Sequence, residues 1–243
     1  MRSFLFASLQ YLLLLFKKNT YLQTTEQPKA KRITRKLLVV TVLLLLILFV
    51  FGIIADEIVL EKESGFDTFI FQKLSFLTSP FTTRLMIFIT FFGSSMFLRP
   101  AYTLLTAYFL FFKRDINISL KIAVIGITTS VVLNLIKDIF KRSRPLDPLI
   151  PNVGGFSFPS GHSFSAFTFA GLIIYILWQS NVKKGWKYLS SILLILFAAC
   201  IAFSRVYLHV HYPSDIIAGF CLRILWLSLS LWVLGKITAR FNI

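Results

Sequence analysis

Long apolar runs alternate with short polar clusters along this chain. Each run approaches the length that a helix needs to cross a hydrocarbon core, about 20 residues. Residues 37–55 are nearly all Leu, Val, Ile and Phe and predict a first membrane-spanning helix. The polar connection over 56–81 carries Glu57, Glu61, Glu63 and Asp67, and short interfacial helices are expected there. Residues 85–112 are apolar for longer than one span requires, interrupted by Gly93, Arg99 and Pro100. This predicts a second span at 95–112, with 84–93 as a lead-in helix against the bundle. Four further spans are expected at 119–137, 163–179, 188–204 and 215–235. The expected fold is therefore all-α, a polytopic membrane bundle of six transmembrane helices.

The amino-terminal part differs. Residues 4–16 are apolar but short, and Lys17 and Lys18 follow them. A secretory signal would place its charge before the apolar core. An amino-terminal interfacial helix is expected, with a short or re-entrant span as the alternative. Lys29, Lys31, Arg32, Arg35 and Lys36 come next. The chain thus divides into an amphiphilic, basic segment at 1–36, cytoplasmic or interfacial, and a six-span domain at 37–243.

Composition agrees with a membrane domain. Of 243 residues, 56% are hydrophobic, more than an ordinary soluble domain carries. The net charge of +16 would suggest nucleic acid in a soluble protein. Here the basic residues lie between apolar runs and no nucleic-acid-binding motif is present, so the charge points to membrane topology and anionic lipid headgroups. If six spans alternate, four basic groups fall on one side. They are the amino-terminal stretch, then Lys113, Arg114 and Lys121, then Lys183, Lys184 and Lys187, then Lys236 and Arg240. The excess of positive charge marks that side, and both termini, as cytoplasmic. Asn117-Ile118-Ser119 matches a glycosylation sequon but falls on this side, and is read as a chance match. Cys200 and Cys221 lie in apolar stretches without metal-ligand spacing and read as small buried hydrophobes. Trp178, Tyr207 and Tyr212 read as interface anchors.

A second basic group, Lys137, Lys141, Arg142, Arg144 and Arg205, lies on the opposite side, against the charge rule. Lys141 and Arg142 are expected to reach for headgroups. The others belong to three segments: Lys137 to Pro145, Pro159-Ser160-Gly161-His162, and Ser204 to Asp215. Alternation of spans brings all three to one face. Lys137, Arg144 and Arg205 supply positive charge, and Arg forks match phosphate oxygens. Ser160 adds a hydroxyl, Gly161 lets backbone approach an anion, and a helix start at this point aims free N–H groups at it. The set suits a tetrahedral oxyanion. Asp215 can hold one ring nitrogen of His211 and leave the other free to attack phosphorus. His162 is placed to protonate a leaving group and then activate water. His209 is two residues from His211; its spacing to Asp215 is less favourable, so a supporting or structural role is expected. No carboxylate cluster is present for magnesium or zinc, so no metal and no other cofactor is required.

These motifs, Lys-x6-Arg-Pro, Pro-Ser-Gly-His and Ser-Arg-x5-His-x3-Asp, resemble those of the type 2 phosphatidic acid phosphatase family, related to the vanadium-dependent haloperoxidases. All three are complete and in order between Lys137 and Asp215, about a third of the chain. The resemblance implies a metal-independent, vanadate-sensitive lipid phosphatase. It implies a phosphohistidine on His211, oriented by Asp215, with His162 as acid and then base. Lys137, Arg144, Ser160, Gly161 and Arg205 would bind the phosphoryl group. The implied substrate is a membrane lipid phosphate: phosphatidic acid, phosphatidylglycerol phosphate, undecaprenyl diphosphate or lipid A. A phosphotransferase using the same site, or a non-enzymatic anion or lipid carrier, remains as an alternative. The implied location is a cell (inner) membrane, with the site on the periplasmic or extracellular face.

Overall fold

The computed structural model describes residues 28–60, 65–151 and 153–241, so the interfacial helix expected at 4–16 lies outside the described residues. Among the described residues all regular structure is helical. In chain order the helices are α1 (Pro28–Leu60), α2 (Gly65–Ser75), α3 (Pro80–Phe91), α4 (Ser95–Ala107), α5 (Ile116–Phe140), α6 (Gly161–Gln179), α7 (Lys184–Tyr207) and α8 (Pro213–Phe241). A π-helical turn over Tyr108–Phe112 continues α4. Among the described residues six stretches are long and apolar enough to cross a membrane, with α3, α4 and the π turn forming one of them. The protein is a multi-pass membrane bundle.

The six expected spans are present: five lie inside a single longer helix, and the second, 95–112, is made by α4 and the π turn together. α1 already starts at Pro28, so the basic residues from Lys29 to Lys36 join the first span as one helix. The second span is broken where its glycine falls. Ser94 caps α4, accepting a hydrogen bond from the Phe97 N–H, while α3 ends on the preceding turn. A Cβ at Gly93 would lie 2.5 Å from the Ile201 side chain and 3.2 Å from Cβ of His162. Only glycine lets the break press against α7 and the start of α6. Pro100 sits inside α4 without ending it. The lead-in helix expected at 84–93 is α3, which packs along α7. Its amino terminus has a reciprocal cap between Ser79 and Thr82, and the Tyr207 hydroxyl bonds Thr82 Oγ1 at 2.5 Å.

α6 is the hub, packed against α7 and α8. Ala166, Phe167 and Ala170 meet Ala198, Ile201 and Ala202 of α7 on one side. Leu172 and Tyr175 join Ile122 and Ile125 of α5 and Leu227, Leu231 and Leu234 of α8 on the other. α1 packs mainly on α8, with Phe51 also meeting Phe158 and Phe140 of α5, and turns most of its Leu and Val outward. The polar connection after α1 does contain a short helix, α2, as expected. Two tyrosines differ from expectation. Tyr207 and Tyr212 are buried rather than at the interface, because the α7–α8 turn folds beneath α2 and α3. Cys221 is buried as expected, but Cys200 faces out of the bundle.

Candidate active site

The end of α5, the start of α6, the end of α7 and the start of α8 meet at one end of the bundle, as alternation requires. The α8 start explains the geometry of Asp215. Pro213 opens the helix, where its missing N–H loses no bond. Asp215 Oδ2 reaches back to the Tyr212 N–H at 2.9 Å, a side-chain cap three residues into the helix. The same oxygen accepts from Ser157 Oγ and lies 3.4 Å from His211 Nδ1. Its partner Oδ1 accepts from Arg142 Nη1 at 2.7 Å. His211 therefore presents Nδ1 to Asp215 and turns Nε2 the other way. Nε2 faces Arg144 Nη1 at 3.3 Å.

Arg144 is held by backbone carbonyls. Its Nε donates to Gly154 and Gly155 at 3.1 and 3.0 Å, and Nη1 to Val210 at 2.7 Å. Gly155 has φ +75°, the left-handed turn that brings this carbonyl pair round the guanidinium. Lys137 Nζ donates to the Phe156 carbonyl. Arg205 Nη1 donates to Thr90 Oγ1 at 2.9 Å, while its buried Nε has no hydrogen-bond partner among the described residues. Ser160, wholly buried, shares a 3.0 Å hydrogen bond with Ser163 Oγ. A Cβ at Gly161 would stand 3.0 Å from Leu133, so glycine there keeps the α6 start close to α5. His162 lies within electrostatic reach of Arg205, His211, Arg144 and Lys137. All eight candidate residues thus gather around the same end of the bundle.

Burial holds the His211 imidazolium well below the ordinary histidine value, at about 4; Arg205 and Arg144 push the same way and Asp215 opposes them. His211 is a neutral ring at neutral pH. His209 is half-buried with φ +53°, and its ring packs on Phe71 of α2, 4.7 Å between centroids.

Arg142 is the main departure from expectation. It does not reach for headgroups: it is 5% exposed and bridges Asp215 to Asp67, with Nη2 2.9 Å from Asp67 Oδ2. Lys141 beside it is exposed, as expected. The left-handed Lys141, φ +47°, ends α5 and turns the next side chain inward. Asp67, Ser157 and Thr90 also escape a motif reading. The one local signal was Asp67, a lone charge within the apolar stretch Gly65–Ser75 apart from its terminal Lys73.

Comparison with known proteins bears on the family of the chain. The family model for the PAP2 superfamily matches residues 118–239. Phosphatidylglycerophosphatase B of Bacillus subtilis is 30% identical over 180 residues, 72% of this chain and 86% of that protein. An undecaprenyl-diphosphatase of Sulfolobus acidocaldarius is 29% identical over 192 residues, 76% and 86% of the two chains. The crystal structure of a transmembrane PAP2-type phosphatidylglycerolphosphate phosphatase from Bacillus subtilis superimposes with a TM-score of 0.70 at 28% identity, covering 80% of this chain and 96% of that one. Fold, site and relatives define the class, a multi-pass membrane phosphatase. Within that class, the chain belongs to the PAP2 superfamily.

Proposed function

We propose that this phosphatase hydrolyses a lipid phosphate, a monoester or a diphosphate, through a phosphohistidine on His211. The observation that carries the reading is the orientation of His211, with Nδ1 toward Asp215 and Nε2 toward the Arg144 guanidinium, where an anion would sit. With the proton on Nδ1, Nε2 keeps its lone pair and attacks phosphorus as the bond to the leaving oxygen breaks. His162 gives its proton to that oxygen, an alkoxide for a monoester or the lipid monophosphate for a diphosphate. Water then attacks the phosphohistidine, His162 takes a proton from it, and inorganic phosphate leaves with the His211 ring restored. Lys137, Arg144 and Arg205 offset the charge on the phosphoryl oxygens, joined by Ser160 and the first N–H groups of α6 at Gly161.

Several features support a lipid as substrate. The site lies at the ends of helices whose outer faces are apolar, so a tail can stay in the bilayer while its headgroup enters. Two relatives are named for lipid substrates, one a phosphate monoester and one a diphosphate. We place the protein in the cell (inner) membrane, with cytoplasmic termini and the site on the periplasmic or extracellular face, from the distribution of basic loops.

Phosphate release from a panel of lipid phosphates, by protein purified in detergent with EDTA present, tests the reading. Native protein is expected to release phosphate, and His211→Asn to lose at least ~10³-fold in turnover. Equal release by the variant would overturn the phosphohistidine. Release from none of the lipids would favour the transferase or carrier alternative, and adding an acceptor lipid separates those two.

A further inference from the structure

The motifs account for one side of Asp215 only. Its Oδ2 faces His211 Nδ1, while Oδ1 is held by Arg142, which lies outside every motif position assigned above. Arg142 itself is shared. Nη1 donates to Asp215 Oδ1 at 2.7 Å and Ser214 Oγ at 2.9 Å, and Nη2 to Asp67 Oδ2 at 2.9 Å. Asp67 is wholly buried. Its Oδ1 also accepts from the Ser214 N–H at 2.8 Å, and its Oδ2 from Ser214 Oγ at 2.7 Å. Tyr212 lies against the other face of the guanidinium, 3.8 Å from ring centroid to Cζ.

The consequences follow from how a carboxylate turns. Gripped at Oδ2 alone, Asp215 could rotate about its terminal bond and offer His211 either oxygen. The Nη1 donor of a planar guanidinium held on Oδ1 removes that freedom, but only if the guanidinium is itself fixed. Asp67 fixes it from the opposite end, and also ties the first turn of α8, on which Asp215 sits, to α2. A buried arginine between two carboxylates balances one of them; without the second, its full charge falls on the first.

We infer that Asp67 is a positioning residue for the nucleophile: acting through Arg142, it fixes which oxygen of Asp215 faces His211. The inference rests on the assignment of His211 and Asp215 under the proposed function. A helix outside the motif region, α2, thereby takes part in building the site. Asp67 touches no reacting atom, so its effect falls on the rate of the chemical step rather than on substrate binding.

The pH dependence supplies a signature that simple loss of stability would not produce. The charged and titratable groups facing His211 and Asp215 are Asp67 from α2, Lys137 from α5, Arg142 and Arg144 from the connection after α5, His162 from α6 and Arg205 from α7. Only Asp67 and Arg142 change in the comparison. Removing Arg142 strengthens the field of Asp215 at His211, makes the ring easier to protonate, and moves the acid limb of the kcat profile to higher pH. Removing Asp67 leaves Arg142 uncompensated, makes the ring harder to protonate, and moves the limb the other way.

The experiment measures kcat, KM and the acid limb for native protein, Asp67→Asn, Arg142→Gln, the double variant and His211→Asn, with one lipid phosphate in detergent. Asp67→Asn is expected to lower kcat about tenfold with KM within about twofold, and to add little in the Arg142→Gln background. The two single variants are expected to shift the acid limb in opposite directions. Native kcat in folded Asp67→Asn, a change in KM alone, shifts in one direction, or full additivity would overturn the inference. If Asp67→Asn does not accumulate in the membrane, Arg142→Lys replaces it, keeping the charge but lacking a fork that spans both carboxylates. A loss of kcat about tenfold with KM retained is then expected, and native kcat would overturn the inference. Activity in His211→Asn would instead overturn the underlying mechanism, so the two failures are distinct.

Discussion

Helices α1 and α6 are both long and apolar enough to cross a bilayer, yet they occupy opposite positions in the protein. None of the apolar window of α1 is buried inside the bundle, whereas over half of the α6 window is. α1 is the more uniformly aliphatic of the two, with an almost unbroken run of Leu, Val and Ile. α6 carries Ser163, Ser165, Thr168, Gly171 and Tyr175 among its apolar residues. The difference shows that hydrophobicity in a membrane chain marks contact with lipid rather than the centre of the structure. Lipid tails are as apolar as leucine, so burial between helices is driven by close fit and by polar contacts, for which small and hydroxyl residues serve better. Of the two, α6, which starts at the site, has the more mixed sequence.

The comparison can be broken or sharpened by substitution, beginning where the effect should be largest. His162→Asn, at the head of α6, is expected to lower kcat by on the order of 10²–10⁴-fold, with the protein still folded in the membrane. Phosphate release and thermal unfolding in detergent, measured on the same preparation, read both parts. Retention of most of the activity would remove His162 from the chemistry. Next comes Leu172→Ala, which opens a cavity among α5, α6 and α8, where Leu172 is wholly buried. A loss of ~2–5 kcal/mol in unfolding free energy is expected. A much smaller loss would show that the hub is less tightly packed than its burial indicates. Leu46→Ala on α1 should do least, within about 0.5 kcal/mol, because that side chain is 55% exposed from the bundle. A loss comparable to that of Leu172→Ala would mean that the outer face of α1 packs against protein rather than lipid.

Much of the site was legible before any coordinates. Lys137, Arg144, Ser160, His162, Arg205, His211 and Asp215 had to share one end of the bundle once six spans alternate. What alternation cannot supply is how side chains pair across that end. Arg142 illustrates this. Adjacent to Lys141 and one residue short of Ser143, it reads as one of several basic residues at a helix end, all candidates for headgroup contact. The left-handed turn at Lys141 swings it inward, to a carboxylate on a short helix far earlier in the chain. Thr90 is similar, an unremarked hydroxyl on α3 until packing of α3 along α7 brings it to Arg205. Tyr207 and Tyr212 were misplaced for the same reason, since an aromatic near a span end looks alike whether a loop covers it or lipid does.

Six helical spans, and the gathering of basic residues and two histidines at one end of them, can be read from the amino-acid order alone. Those properties follow from run length, from the alternation of spans and from residues close together in the chain, and each is dictated locally. The link that Arg142 makes between Asp67 and Asp215, and the approach of the broken second span to His162 at Gly93, come instead from helix packing. Arg142 stands 75 residues from one carboxylate and 73 from the other. Over such separations no periodicity or propensity selects a partner. The choice is made by how the helices dock, because the buried ion pairs can form only where docking brings their charges together.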